Sequence, residues 1–163
     1  MARIFGIAGW KNSGKTTLVE GVVRELVKRG LRVATMKHAH HGFDIDHEGR
    51  DSYRHREAGA SEVIVASSKR WAIVHELRGE DEPSFQEMLA KLSPADIVIV
   101  EGFKKERYPK LEVIGPTPRD TPLYLSDESV VAVAGVEPVN AGLPYFDRDD
   151  ISGIVDFILR HTK

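Results

Sequence analysis

The chain has 163 residues, 41% hydrophobic and 29% charged, with a formal net charge of −2. That size and balance fit one globular domain, expected to span residues 1–163, and they exclude dominant disorder. The chain has no cysteine, which removes disulfides, thiolate metal sites and cysteine nucleophiles, and its near-neutral charge gives no global field to recruit nucleic acid.

Arg3 to Ala8 (RIFGIA) reads as a short buried strand. The opening MARIFGIAGWKNSGKTT lacks the layout of a signal peptide, and no apolar run nears the roughly 20 residues of a membrane span. From Lys15 to Arg29, apolar Leu18, Val22, Val23, Leu26 and Val27 recur at helical spacing, and Gly30 is the stop. Leu31 to Met36 reads as a second strand, so the opening is strand, turn, helix, strand, with the two strands parallel. His38 to Gly49 has no apolar periodicity and reads as a long loop. Asp51 to Ala58 predicts a short helix.

Glu62 to Ser67 and Trp71 to Leu77 read as a hairpin joined by SSKR. Pro83 to Leu92 predicts a helix with proline at its first position. The unbroken apolar Asp96 to Val100 is a central strand. Phe103 to Pro122 is rich in Lys, Arg and Pro and reads as surface, with Lys110 to Ile114 as an edge strand within it. Val130 to Ala134 and Pro144 to Phe146 are further strands, and Asp150 to Arg160 is an amphipathic closing helix. Alternating strands and helices predict an α/β sheet.

Three segments carry chemistry. Gly9 to Thr16, GWKNSGKT, matches G-x-x-x-x-G-K-[ST] between a strand and a helix, the context this motif requires. Glycines at 9 and 14 allow the backbone of Gly9, Trp10, Lys11, Asn12, Ser13 and Gly14 to turn its amides on phosphate oxygens. Lys15 then reaches the β- and γ-phosphates, Thr16 ligates Mg²⁺, and Thr17 assists the α-phosphate. The second segment, ADIVIVEG, ends an apolar strand in Glu101, a carboxylate suited to hold Mg²⁺ through water. The third, Lys37 to Ala60, leaves the carboxyl end of the second strand and holds five of the seven histidines. There His38, His40 and His41 are candidates for anion contact, and Asp44, Asp46 and Asp51 for a metal-associated acid. A zinc centre is the competing reading of the histidines, but no H-E-x-x-H spacing is present.

Taken in order, GWKNSGKTTL, KHAHHGFDIDHEGRDSYRHREAGA, DIVIVEGFKKE and LPYFDRDDISGIVDFI resemble the molybdopterin-guanine dinucleotide biosynthesis adaptor family, MobB, over essentially the whole chain. The resemblance implies a three-layer P-loop NTPase fold with a mainly parallel sheet and a β-rich protrusion. It implies GTP and Mg²⁺ as ligands, weak GTPase activity and a cytoplasmic setting. It also implies a guanylyltransferase partner that attaches GMP to molybdopterin, possible contact with the molybdopterin cofactor itself, and a homodimer. The runs Val63 to Leu77 and Lys110 to Ile114 are the candidate subunit contacts. By motif match, Gly14, Lys15, Thr16 and Thr17 carry over as nucleotide-binding residues and Glu101 as the metal-associated acid.

An [NT]-K-x-D guanine motif is absent: Val133 to Asn140 (VAGVEPVN) lacks its lysine and aspartate, so that guanine preference rests on the resemblance alone, with backbone amides or Asp147 as candidates to read the base. Two other readings stay open. A P-loop kinase of a small metabolite would use Asp44 or Asp46 as base and Arg70 or Arg107 to hold an anionic acceptor. A nucleic-acid partner would use Lys104, Lys105, Arg107 and Lys110, although such charge runs are usually solvated faces.

Overall fold

A computed structural model describes residues 2–39, 42–116 and 121–162. In chain order the elements are β1 (Arg3–Ala8), α1 (Lys15–Lys28), β2 (Val33–Lys37), α2 (Asp51–Glu57), β3 (Glu62–Ala66), β4 (Trp71–His75), α3 (Phe85–Ala90), β5 (Ile97–Glu101), β6 (Lys110–Val113), a 3₁₀ turn (Leu123–Leu125), β7 (Val130–Gly135), β8 (Tyr145–Asp147) and α4 (Ile151–His161). They group into two units, 1–38 with 89–163, and 39–88.

The first unit is a six-stranded sheet in the order β2-β5-β1-β6-β7-β8. Every pair in it is parallel, the α/β class that the alternation of elements predicts. Successive side chains point to opposite faces. Phe5 and Ile7 of β1, Ile97 and Ile99 of β5, and Leu111 and Val113 of β6 therefore share one face, and all are buried. Against this face lie Leu18, Val22 and Leu26 of α1 and Ile154, Val155, Phe157 and Ile158 of α4. Each such side chain stabilises the fold by about 1.5–3 kcal/mol relative to exposure. Gly21 lets the two helices meet, because a Cβ there would stand 2.8 Å from Ile151 Cδ1. Asp150 caps α4 by accepting from the Gly153 amide at 3.0 Å.

The other face corrects one expectation. β6 is not an edge strand: it lies between β1 and β7, and all four of its residues are buried. Alternating charge in KLEV suggests a half-solvated strand, yet Lys110 and Glu112 are 2% and 1% exposed. Local chain segments satisfy them. Lys110 Nζ donates to Asp127 Oδ2 at 2.8 Å, to Ser129 Oγ at 2.9 Å and to the Lys104 carbonyl at 3.2 Å. Glu112 accepts the amides of Leu123 and Tyr124 at 2.8 and 2.9 Å. A buried charge without such partners would cost several kcal/mol. Burial lifts the Glu112 carboxyl above its usual range, against the pull of the two amides. The Lys110 to Ile114 run is thus interior, which removes most of its surface from any subunit contact.

The second unit holds the β3–β4 antiparallel hairpin, with Ile64 opposite Ile73 and Ala66 opposite Trp71. Arg56 of α2 is held by Asp44, Asp46 and Glu76. Ser84 and Glu87 cap α3 reciprocally, so that helix starts two residues later than Pro83 suggests.

Candidate functional site

β1 delivers the chain to the carboxyl edge of the sheet, where Gly9, Asn12 and Gly14 adopt φ of 143°, 63° and 97°. Glycine at position 9 is required by space as well as by φ. A Cβ there would lie 2.5 Å from the Val113 carbonyl oxygen and 2.9 Å from Ser13 Oγ. These positive φ values fold GWKNSG into a tight loop whose last residue, Gly14, is the N-cap of α1, which begins at Lys15. Thr16 and Thr17 are exposed in the first helical turn.

Lys15 Nζ donates to the Trp10 carbonyl at 2.7 Å. Partial burial lowers the Lys15 pKa, and Lys104 and Lys37 lower it further against the opposing pull of Glu101. Glu101 ends β5, paired with Ile7 of β1 on one side and Lys37 of β2 on the other. Lys37 Nζ stands 3.6 Å from its Oε1. The chain turns sharply after Glu101, through Gly102 and Phe103 at φ of 91° and 47°. His38 sits against this turn: its amide donates to the Glu101 carbonyl at 2.9 Å, and its ring centroid is 5.0 Å from that of Phe103. Glycine at 102 permits this, since a Cβ would stand 2.8 Å from His38 Cβ.

Trp10 ties the loop to its surroundings. Its Nε1 donates to the Thr121 carbonyl at 2.9 Å, and Lys104 Nζ lies 4.5 Å from the ring centroid. Behind the loop, Ser13 is 4% exposed, and its Oγ is buried without a hydrogen-bond partner among the described residues. Lys15, Lys37 and Lys104 therefore gather at the loop, with Glu101 as the opposing charge. Cations gathered around a positive-φ loop at a helix N-terminus suit a phosphorylated ligand. Thr16 and Glu101 supply the oxygen donors that Mg²⁺ prefers.

The candidates of the long loop fare differently. Arg56 donates to Asp44 through Nη2 at 3.1 Å and to Asp46 through Nε at 3.3 Å. Asp44 also accepts the Asp46 amide, and Asp46 accepts from Ser52 Oγ and the His47 amide. Both carboxyls are held below their ordinary range, Asp44 by the Asp46 amide and Arg56, Asp46 by Ser52, the His47 amide and Arg56 against its own burial. Instead of standing as free acids, they neutralise Arg56. Asp51 begins α2, whereas His40 and His41 lie outside the described residues. Asp147 Oδ1 accepts the Asp149 amide at 2.8 Å and so shapes a turn.

Two cations near the loop have no sequence signal of their own. Lys37 is an ordinary strand-end lysine until β2 is paired with β5. Arg148 follows β8, and its Nη1 lies 3.3 Å from where a Gly14 Cβ would be. The strand order is what brings both to the carboxyl edge.

The model of the family Molybdopterin guanine dinucleotide synthesis protein B matches residues 4–136. Among curated relatives, the molybdopterin-guanine dinucleotide biosynthesis adapter protein of Escherichia coli (strain K12) is 37% identical, covering 98% of this chain and 93% of its own. The adapter protein of Haemophilus influenzae is 40% identical over 95% of this chain and 86% of its own. The crystal structure of a molybdopterin-guanine biosynthesis protein B superposes with a TM-score of 0.76 at 30% identity, covering 96% of this chain and 98% of that one. A MobB homologue from Bacillus stearothermophilus gives a TM-score of 0.70 at 26% identity, over 96% and 95% of the two chains. The chain belongs to the MobB family, the molybdopterin guanine dinucleotide synthesis proteins B.

Proposed function

We propose that this chain is a GTP- and Mg²⁺-binding adaptor that assists the guanylyltransferase joining GMP to molybdopterin. The observation that carries the reading is the GWKNSGKT loop with Lys15, Lys37 and Lys104 around it and Glu101 on the neighbouring strand, in a member of an adaptor family. In this reading the loop amides and Lys15 bind the β- and γ-phosphates, and Thr16 and Glu101 hold Mg²⁺, directly and through water. Mg²⁺ supplies charge neutralisation on the phosphates. Ser13 Oγ, buried and without a partner among the described residues, is a further donor for the loop and its ligand. Guanine preference rests on the family, since the base motif is absent.

The adaptor role also needs protein contacts. We place self-association on the hairpin face carrying Ile64, Ile73 and Trp71, which are 64%, 43% and 64% exposed. Patches of this kind mark protein–protein contact. Among the described residues no helix is long and apolar enough to cross a membrane, and we assign the chain to the cytoplasm with its partner. The test is a competition titration of GTP against ATP with Mg²⁺, repeated with the guanylyltransferase present. Tighter GTP binding that the partner alters is the expected result. Absence of nucleotide binding with and without the partner rejects the reading.

A further inference from the structure

The guanidinium of Arg148 is aimed at the loop from three strands away. β8 is separated from β1 by β6 and β7, yet Arg148 Nη1 comes within 3.3 Å of the Cβ position of Gly14. Its backbone is fixed on that approach. The Arg148 amide donates to the Gly135 carbonyl at 3.0 Å, and the Asp150 amide to the Asp147 carbonyl at 3.0 Å. Two of the three acids beside it have other work: Asp147 accepts the Asp149 amide and Asp150 caps α4, while the third, Asp149, forms no ion pair with Arg148. Among the described residues the Arg148 guanidinium forms no hydrogen bond or ion pair.

A half-buried cation beside the positive end of a helix, with Lys15 as the next residue of the loop, is electrostatically unfavourable on its own. An anion lying across Gly14 reverses the sign. A guanidinium offers planar paired donors that suit phosphate oxygens.

We infer that Arg148 is a phosphate-binding residue, closing over the phosphate chain of the bound nucleotide from the β8 side while Lys15 holds it from the loop. The inference rests on the nucleotide-binding reading of the loop and adds a residue that the motif does not contain. Its chemistry is that of a nucleoside di- or triphosphate; the base is not involved.

The experiment compares wild type, Arg148→Met, which removes the charge and keeps most of the stem, and Arg148→Lys, which keeps a charge. Each is titrated with GTP and with inorganic tripolyphosphate in Mg²⁺, and each unfolding temperature is recorded. Arg148→Met is expected to weaken both ligands about 10- to 100-fold, the range for a charge-assisted hydrogen bond. Arg148→Lys should recover part of the loss, with all three proteins unfolding at the same temperature. Wild-type affinity in Arg148→Met overturns the inference and leaves the loop reading intact. A loss for GTP without one for tripolyphosphate moves Arg148 to the nucleoside and overturns the phosphate assignment. Early unfolding of Arg148→Met with normal behaviour of Arg148→Lys makes the residue structural and also overturns it. A wild type that binds neither ligand removes the loop reading and this inference together.

Discussion

β5 and the β3–β4 hairpin are built from nearly the same letters and meet opposite fates. IVIVE in β5 is buried through four of its five residues. EVIVA and WAIVH in the hairpin leave Ile64, Val65, Trp71 and Ile73 exposed. What separates them is the number of neighbours. β5 has a strand on each side, β2 and β1, and helices over its Ile97 and Ile99 face. The hairpin is a sheet of two strands, and two strands alone bury little. An unbroken apolar run therefore states that a surface needs covering; it does not state that this chain covers it.

The sharpest way to break the comparison is by truncation. Phe5→Ala in β1 should lower stability by about 3–5 kcal/mol, as large-to-small changes in a packed core do. Ile64→Ala in the hairpin should change the monomer by less than about 0.5 kcal/mol. Urea unfolding at low protein concentration measures both, and equal losses would contradict the contrast. Lys15→Ala comes next: GTP affinity should fall about 10- to 100-fold, the range for a bond to a charged group, while the unfolding temperature stays within a degree or two. Isothermal titration and calorimetry give the two numbers.

Glu101→Gln should weaken Mg²⁺-dependent binding by about 10-fold, within the same range for charged partners, and leave Mg²⁺-free binding nearly intact. Equal effects with and without the metal would make the strand-end carboxylate structural. For the hairpin, Ile73→Asp should shift the sedimentation coefficient toward that of a monomer at micromolar concentration without altering nucleotide affinity.

The smallest effect belongs to His75, whose Nδ1 lies 3.0 Å from Glu62 and whose Nε2 lies 3.1 Å from Glu80. Hydrogen bonding to Glu62 and then to Glu80 raises its pKa above the ordinary 6.5. The stabilising charge is fully present below 6.5 and is lost as pH rises through the elevated folded value. Amide exchange in β3 and β4, corrected for its intrinsic pH dependence, should accelerate over that window in wild type and not in His75→Gln.

Much of the sheet was legible. The periodicity of α1, the apolar runs of β1 and β5, and the glycines of the loop are local signals, and the structure follows them. The burial of β6 is not legible in KLEV, because it depends on residues 102–109 and 121–129, which are remote from its own pattern. Asp44 and Asp46 looked like free acids because nothing local announces that Arg56 will lie between them and Glu76. Lys37 and Arg148 gain meaning only from strand order, a property of pairing that no window of sequence contains.

The tryptophan placement has an optical consequence. The chain has two tryptophans, Trp10 in the loop after β1 and Trp71 at the start of β4. Each region thus carries its own fluorophore. Trp71→Phe would leave emission from Trp10 alone, an indole bonded through Nε1 to Thr121 and faced by the Lys104 ammonium. Any ligand that draws Lys104 off that ring changes the field on the excited indole, so filling of the loop would be readable as colour and intensity. Trp10→Phe would leave Trp71, whose exposed ring would shift to the blue when a second surface covers it. Two single-tryptophan proteins would then report ligand capture and protein contact as separate signals from the same chain.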